Sequence, residues 1–128
     1  GYQTALLAEL AAHVTTIERQ SALAERARNT LDALGYANVS VYLGDGTQGY
    51  EPGAPYDAIL VTAGGPQVPA SLEAQLTVGG RMVCPVGPRE VQELVRVART
   101  PNGLEQERSI RCSFVPLIGE EGWVEGTR

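Results

Sequence analysis

Val39-Ser-Val-Tyr-Leu-Gly-Asp-Gly-Thr-Gln-Gly-Tyr-Glu-Pro-Gly-Ala-Pro-Tyr-Asp-Ala-Ile-Leu-Val61 reads as a strand, a loop and a second strand. Val39 to Leu43 is β-branched and aromatic, and Tyr56 to Val61 is an apolar run of strand length. Between them Gly44 to Pro55 is rich in glycine and carries prolines at 52 and 55. That composition breaks regular structure, and connections of this length are often functional.

Upstream, Leu6, Leu7, Leu10 and Ala11 recur at helical spacing, which predicts a helix over Tyr2 to Ala12. His13 to Glu18 carries Val14, Thr15, Thr16 and Ile17 in a row, as expected of a buried parallel strand. Ser21 can cap a second helix over Ala22 to Leu34. Its apolar stripe is Leu23, Ala27, Leu31 and Leu34, and Gly35 supplies a left-handed stop. Downstream, Pro69 to Leu76 predicts a short helix with proline near its first turn, and Gly79-Gly80 turns the chain into a strand over Arg81 to Val86. Glu93 to Arg99 then alternates apolar and polar residues, and Asn102-Gly103 is a turn before Leu104 to Arg111, an antiparallel pair.

Strands alternating with helices predict an α/β fold, a doubly wound Rossmann-like sheet that is mostly parallel with an antiparallel C-terminal strand pair. On such sheets ligands bind outside the carboxyl ends of the strands. No repeat, low-complexity tract or linker interrupts residues 1–128, so one domain without an internal boundary is expected.

With 43% hydrophobic and 20% charged residues, the chain has the composition of a globular protein. A net charge of −5 with scattered arginines offers no footprint for a phosphate backbone, so nucleic acid is not an expected partner. No apolar run approaches the roughly 20 residues of a membrane helix, and the first residues do not form a signal peptide, so no membrane partner is expected and a cytoplasmic address is. Cys84 and Cys112 lack a second ligand set and read as core thiols, with no metal expected. His13 opens a strand with no obvious serine or cysteine partner, Trp123 reads as a packing residue, and Arg108 and Arg111 mark the solvent face of a strand.

The residues just after strands carry the chemistry. Glu18 ends its strand, where an acidic side chain can accept both hydroxyls of a ribose, or be a solvated charge. In nucleotide-binding folds that acid lies about 20 residues beyond the first glycine of a loop, and Gly1 fits as the last glycine of it. Asp45 can accept from an adenine amino group while Gly44 and Gly46 let the backbone approach the ring, though Asp-Gly alone is a turn. Thr62-Ala-Gly-Gly-Pro66 offers small residues at another strand end, where a loop alone is the plainer reading.

Taken in order, Gly1-Tyr-Gln3, Ile17-Glu-Arg19, Gly44-Asp-Gly46 with Gly49-Tyr50, Tyr56-Asp-Ala-Ile59, Gly79-Gly-Arg81, Pro85-Val-Gly-Pro88 and Phe114-Val-Pro-Leu117 with Gly119 to Trp123 resemble the protein-L-isoaspartate O-methyltransferase family across nearly the whole chain. The resemblance implies methyl transfer from S-adenosylmethionine to the free carboxylate of an L-isoaspartyl residue, with S-adenosylhomocysteine as the other product. The methyl ester then collapses to a succinimide, which starts repair. By the same resemblance Gly1 lies by the methionine part of the cofactor, Glu18 on the ribose, and Asp45 with Gly46 at the adenine. Ile118 holds the position of a cofactor-contacting residue, and Val86, Gly87 and Pro88 line the peptide cleft. Isoaspartyl peptides are the implied partners and a monomer the implied state of the intact protein.

The family also has a strand ending in Gly-x-Gly-Ser-Gly-Tyr and, earlier, a loop whose serine or threonine touches the reacting carboxylate. The expectation is therefore an N-terminally truncated domain whose first strand is absent, with no catalytic residue among these 128, and unstable or inactive alone. Two other readings stay open: a small-molecule carboxyl methyltransferase of the same fold, and an S-adenosylmethionine-binding module without turnover. A dinucleotide dehydrogenase is disfavoured, since only one glycine of the nucleotide loop is present.

Overall fold

The computed structural model describes residues 1–126, which fall into two compact units, Gly1–Gly46 and the residues from Thr47 onward. In the first unit the order is α1 (Tyr2–Leu10), β1 (Val14–Glu18), α2 (Ser21–Ala33) and β2 (Val39–Leu43). The β-branched runs of β1 and β2 pair in parallel, from Val14 opposite Val39 to Glu18 opposite Leu43. Asn38 Nδ2 donates to the carbonyls of Ala8 at 2.9 Å and Ala11 at 3.1 Å, satisfying acceptors that the end of α1 leaves open. Gly35 has φ +82° and stops α2 as expected.

Packing in this unit differs from the expected stripes. Ala8, Val14, Ala24 and Leu31 are buried, while Leu23 is 43% and Leu34 66% exposed. The buried side of α2 runs through Ala24, Ala27 and Leu31, at spacings of three and four, and Leu34 lies past the last helical residue. On α1, Leu10 is exposed and Ala8 turns inward. Ser21 is the first residue of α2 rather than its cap, because Gln20 in extended conformation takes the cap position and makes no side-chain cap bond. Only Val14 of β1 is buried, the rest of the strand being half-buried, as suits a strand paired along one side in a two-stranded sheet.

In the second unit two single turns of 3-10 helix, Gly46–Gln48 and Glu51–Gly53, give shape to the glycine-rich loop. There follow β3 (Tyr56–Leu60), α3 (Ala70–Ala74), β4 (Leu76–Val86), β5 (Gln92–Thr100) and β6 (Gly103–Cys112), in sheet order β3-β4-β5-β6. β3 and β4 are parallel, while β4 with β5 and β5 with β6 are antiparallel, which is the expected change of style in the C-terminal part. Leu72, Leu76, Met82, Cys84, Val86, Val95 and Val97 form the core, with Ile59, Val61 and Val68 packed against it.

Gly79-Gly80 is not a turn between helix and strand. β4 begins at Leu76 and runs through both glycines, and its register against β3 jumps from Tyr56 opposite Leu76 to Ala58 opposite Arg81. The surplus residues bulge, with Gly79 at φ +87°. β6 is exposed along its length except at Cys112; Arg108 and Arg111 are both exposed, but Arg108 stands opposite buried Val95, so the strand has no separate solvent face that they mark. Among the described residues, no helix is long and apolar enough to cross a membrane.

Candidate functional site

In the first unit Glu18 and the Gly44-Asp45-Gly46 stretch sit at the carboxyl ends of the parallel pair. Glu18 closes β1, and its carbonyl accepts from Gly44 N–H at 3.0 Å, so the ladder continues one step past β2. This joins the Glu18 backbone to the start of the Gly44-Asp45-Gly46 bend, and all four residues are half-buried. Glu18 Oε1 accepts from Gln20 N–H at 3.2 Å. An ionised carboxylate has about four lone-pair positions, so capacity for further hydroxyl donors remains. Gly1 stands at the N-terminus of α1, and a side chain there would sit against Ala27 and Leu31 of α2.

The second unit gathers the remaining expected residues around two glycines. Gly64 and Gly65, both buried, follow β3 and bridge in parallel to two segments at once: Gly65 to Val86 at the end of β4, and Gly64 to Pro116. Gly87 N–H donates to Gly65 O at 3.0 Å, Gly64 N–H to Val115 O at 2.8 Å, and Leu117 N–H to Gly64 O at 2.9 Å. Val86-Gly87 and Leu117-Ile118 are thereby fixed on either side of the same dipeptide. The Thr62 to Pro66 stretch is more than a bare loop, since its glycines are the shared edge.

Pro88 begins the turn that follows Gly87, and Arg89, next in the turn, lays its guanidinium 5.0 Å from the centre of the Trp123 ring. Trp123 packs as expected, and its indole N–H also donates to Gly64 O at 3.0 Å. Ile118 is half-buried between Leu117 and Gly119, held by the Trp123 N–H bond to Leu117 O at 2.7 Å and by its bridge to Trp123. Sequence reasoning missed Gln92, which is 2% exposed and hydrogen-bonded to both neighbouring segments. A polar residue opening an alternating strand carries no mark that separates it from a solvated one.

His13 does have a serine partner, contrary to expectation: its Nε2 lies 3.1 Å from Ser40 Oγ. The pair is exposed at the amino ends of β1 and β2, opposite the end that holds Glu18. Cys84 is a core thiol, pushed up to about 11 by burial and, second, by the Glu73 carboxylate, which keeps it neutral and unreactive at physiological pH. Cys112 is half-buried.

The family model described as Protein-L-isoaspartate(D-aspartate) O-methyltransferase (PCMT) matches residues 1–122. A protein-L-isoaspartate O-methyltransferase of Syntrophus aciditrophicus (strain SB) is 56% identical over 126 residues, covering 96% of this chain and 58% of that protein. A solved structure of a protein-L-isoaspartate O-methyltransferase superposes with a TM-score of 0.78 at 29% identity, covering 86% of this chain and 35% of the other. A second, from Plasmodium falciparum and in complex with S-adenosyl-L-homocysteine, gives 0.71 at 23% identity over 83% and 52% of the two chains, a likeness of fold alone. The chain spans little more than half the length of the curated relatives it matches. With the family model matching residues 1–122, the chain belongs to the protein-L-isoaspartate(D-aspartate) O-methyltransferase family.

Proposed function

We propose that the protein to which this chain belongs transfers a methyl group from S-adenosylmethionine to the free carboxylate of L-isoaspartyl residues in damaged proteins. The observation that carries this reading is the family match across residues 1–122, within which Glu18 and Gly44 to Gly46 share the carboxyl ends of a parallel strand pair. In this reading residues 1–128 are part of one methyltransferase domain, acting as a monomer in the cytoplasm on peptides and proteins. The net charge of −5 is in keeping with a protein rather than a nucleic acid substrate.

The donor set fits the cofactor. The Glu18 carboxylate, with one N–H bond already made, has acceptor capacity for the ribose hydroxyls. Asp45 is an acceptor for an adenine amino group, Gly46 leaves the backbone open beside it, and Gly1 at the N-terminus of α1 presents the positive end of a helix to the methionine carboxylate. Ile118 contributes an apolar contact. Bound S-adenosylmethionine supplies an electrophilic methyl group on a positively charged sulfur.

The acceptor carboxylate, with an ordinary pKa of about 4, is already ionised at neutral pH, so this chain needs no general base. Its task is alignment, which can contribute about 7–11 kcal/mol when reactants are well oriented. Val86, Gly87 and Pro88 form the cleft wall that would hold the isoaspartyl peptide, on a backbone tied to Gly65.

The test uses the full-length protein, labelled S-adenosylmethionine, an isoaspartyl peptide and the matched aspartyl peptide. Base-labile methyl ester on the isoaspartyl peptide alone is the expected outcome, and Glu18→Ala should weaken S-adenosylhomocysteine binding at least tenfold by calorimetry. Cofactor binding with no ester on either peptide would point to a binding module, and ester on small carboxylic acids instead would point to a different substrate class.

A further inference from the structure

Gln92 opens β5 and is nearly inaccessible, at 2% exposure, although its side chain carries an amide. Burying an amide is costly unless its hydrogen bonds are replaced. Here three replace them, all to backbone. Nε2 donates to Pro88 O at 2.7 Å and to Arg89 O at 3.0 Å, and Oε1 accepts from Phe114 N–H at 2.9 Å. One side chain therefore closes the turn after Gly87 and clips it to the segment that leads into Val115 and Leu117.

The surroundings are cut to fit it. A Cβ on Gly64 would stand 2.6 Å from Gln92 Cδ, and one on Gly87 would meet Val91 O at 3.0 Å and Gln92 Cα at 3.1 Å. Gly87 has φ +150°, open to glycine and strained for other residues. On its outer side the same turn is held by Ser113 Oγ, donating to Glu90 O at 3.3 Å, and by Arg89 over Trp123. A hydrophobic residue at position 92 would fill the space without fixing the two turn carbonyls.

We propose that Gln92 is a positioning residue for peptide binding: it sets the conformation of Val86-Gly87-Pro88 through the carbonyls of Pro88 and Arg89 and touches no reacting atom. The inference rests on reading that turn as the wall of the isoaspartyl peptide cleft. It assigns Gln92 to peptide affinity and not to cofactor affinity.

Two variants of the full-length protein test it. Gln92→Glu keeps an acceptor for Phe114 N–H and loses the donors to Pro88 and Arg89, while Gln92→Met keeps the length and loses all three bonds. Both should raise KM for an isoaspartyl peptide about tenfold, the order expected for the net loss of a hydrogen bond or two, with kcat within about threefold. S-adenosylhomocysteine affinity by calorimetry should stay within about twofold. The proposal is overturned if folded variants keep the parental KM, if peptide KM and cofactor affinity weaken together, or if neither variant folds, since Gln92 is then structural only. Absence of isoaspartyl methylation by the unaltered protein would instead remove the functional reading, and this inference with it.

Discussion

A methyl group on Gly122 would run into the carbonyl oxygen of Leu117, a backbone atom that already accepts the Trp123 N–H and has no room to withdraw. Gly122→Ala should therefore lower stability by about 1–3 kcal/mol, read as a drop in Tm by circular dichroism. Cys84 makes a second residue-level prediction. Its thiol is raised from an ordinary 9.0 to about 11, so the fold favours the neutral form more than the unfolded chain does. The stability this contributes is fully present below about pH 9 and is lost as pH rises through about 11. Urea midpoints should decline over that window, and less so in Cys84→Ala; iodoacetamide at pH 8 should label Cys112 well before Cys84. The positions of Glu18 and Asp45 at the carboxyl ends of β1 and β2 were legible in the sequence, because β-branched runs mark where those two strands lie. Gln92 was not, because its role depends on Phe114, 22 residues away, which only the fold brings to it.

At the scale of the element, β4 and β5 carry the second unit. Met82 faces Val97 across this antiparallel pair and both are fully buried. Met82→Ala should cost about 2–5 kcal/mol, against about 0.5 or less for Arg111→Ala on exposed β6, compared by chemical denaturation. The Arg108 to Glu93 ion pair, 3.5 Å apart and open to water, adds little to β6. Strand positions were legible from β-branched runs, and β2 begins and ends where its composition says. Gly79-Gly80 was read as a turn because paired glycines usually break strands, but a bulge against β3 uses the same freedom without ending β4. The apolar stripe of α2 failed by one position, since Leu23 and Ala24 are both apolar and periodicity does not say which turns inward.

For the whole molecule, the two units are unequal. The buried cluster from Leu72 to Val97 lies wholly in the second, while Ala8, Val14, Ala24 and Leu31 are the buried apolar residues of the first. Native-state hydrogen exchange should therefore be slowest at amides of β4 and β5 and faster by orders of magnitude in β1 and β2; equal protection in both would contradict this reading of the core. The fold class was legible from element order alone. The division into two units was not, because no composition shift or linker marks the chain near Gly46 and Thr47.

The bond from Trp123 to Gly64 spans 59 residues, and it has a bearing on biosynthesis. A nascent chain leaves the ribosome in order, so Gly64 and Gly65 emerge long before Val115, Leu117 and Trp123 exist to cover them. During that interval the dipeptide's outer edge can be met only by water or by a chaperone. Emergence of Val115 to Trp123 is thus the earliest moment at which this edge can be covered, and a pause in translation between Cys112 and Trp123 would prolong the exposure that a chaperone must cover.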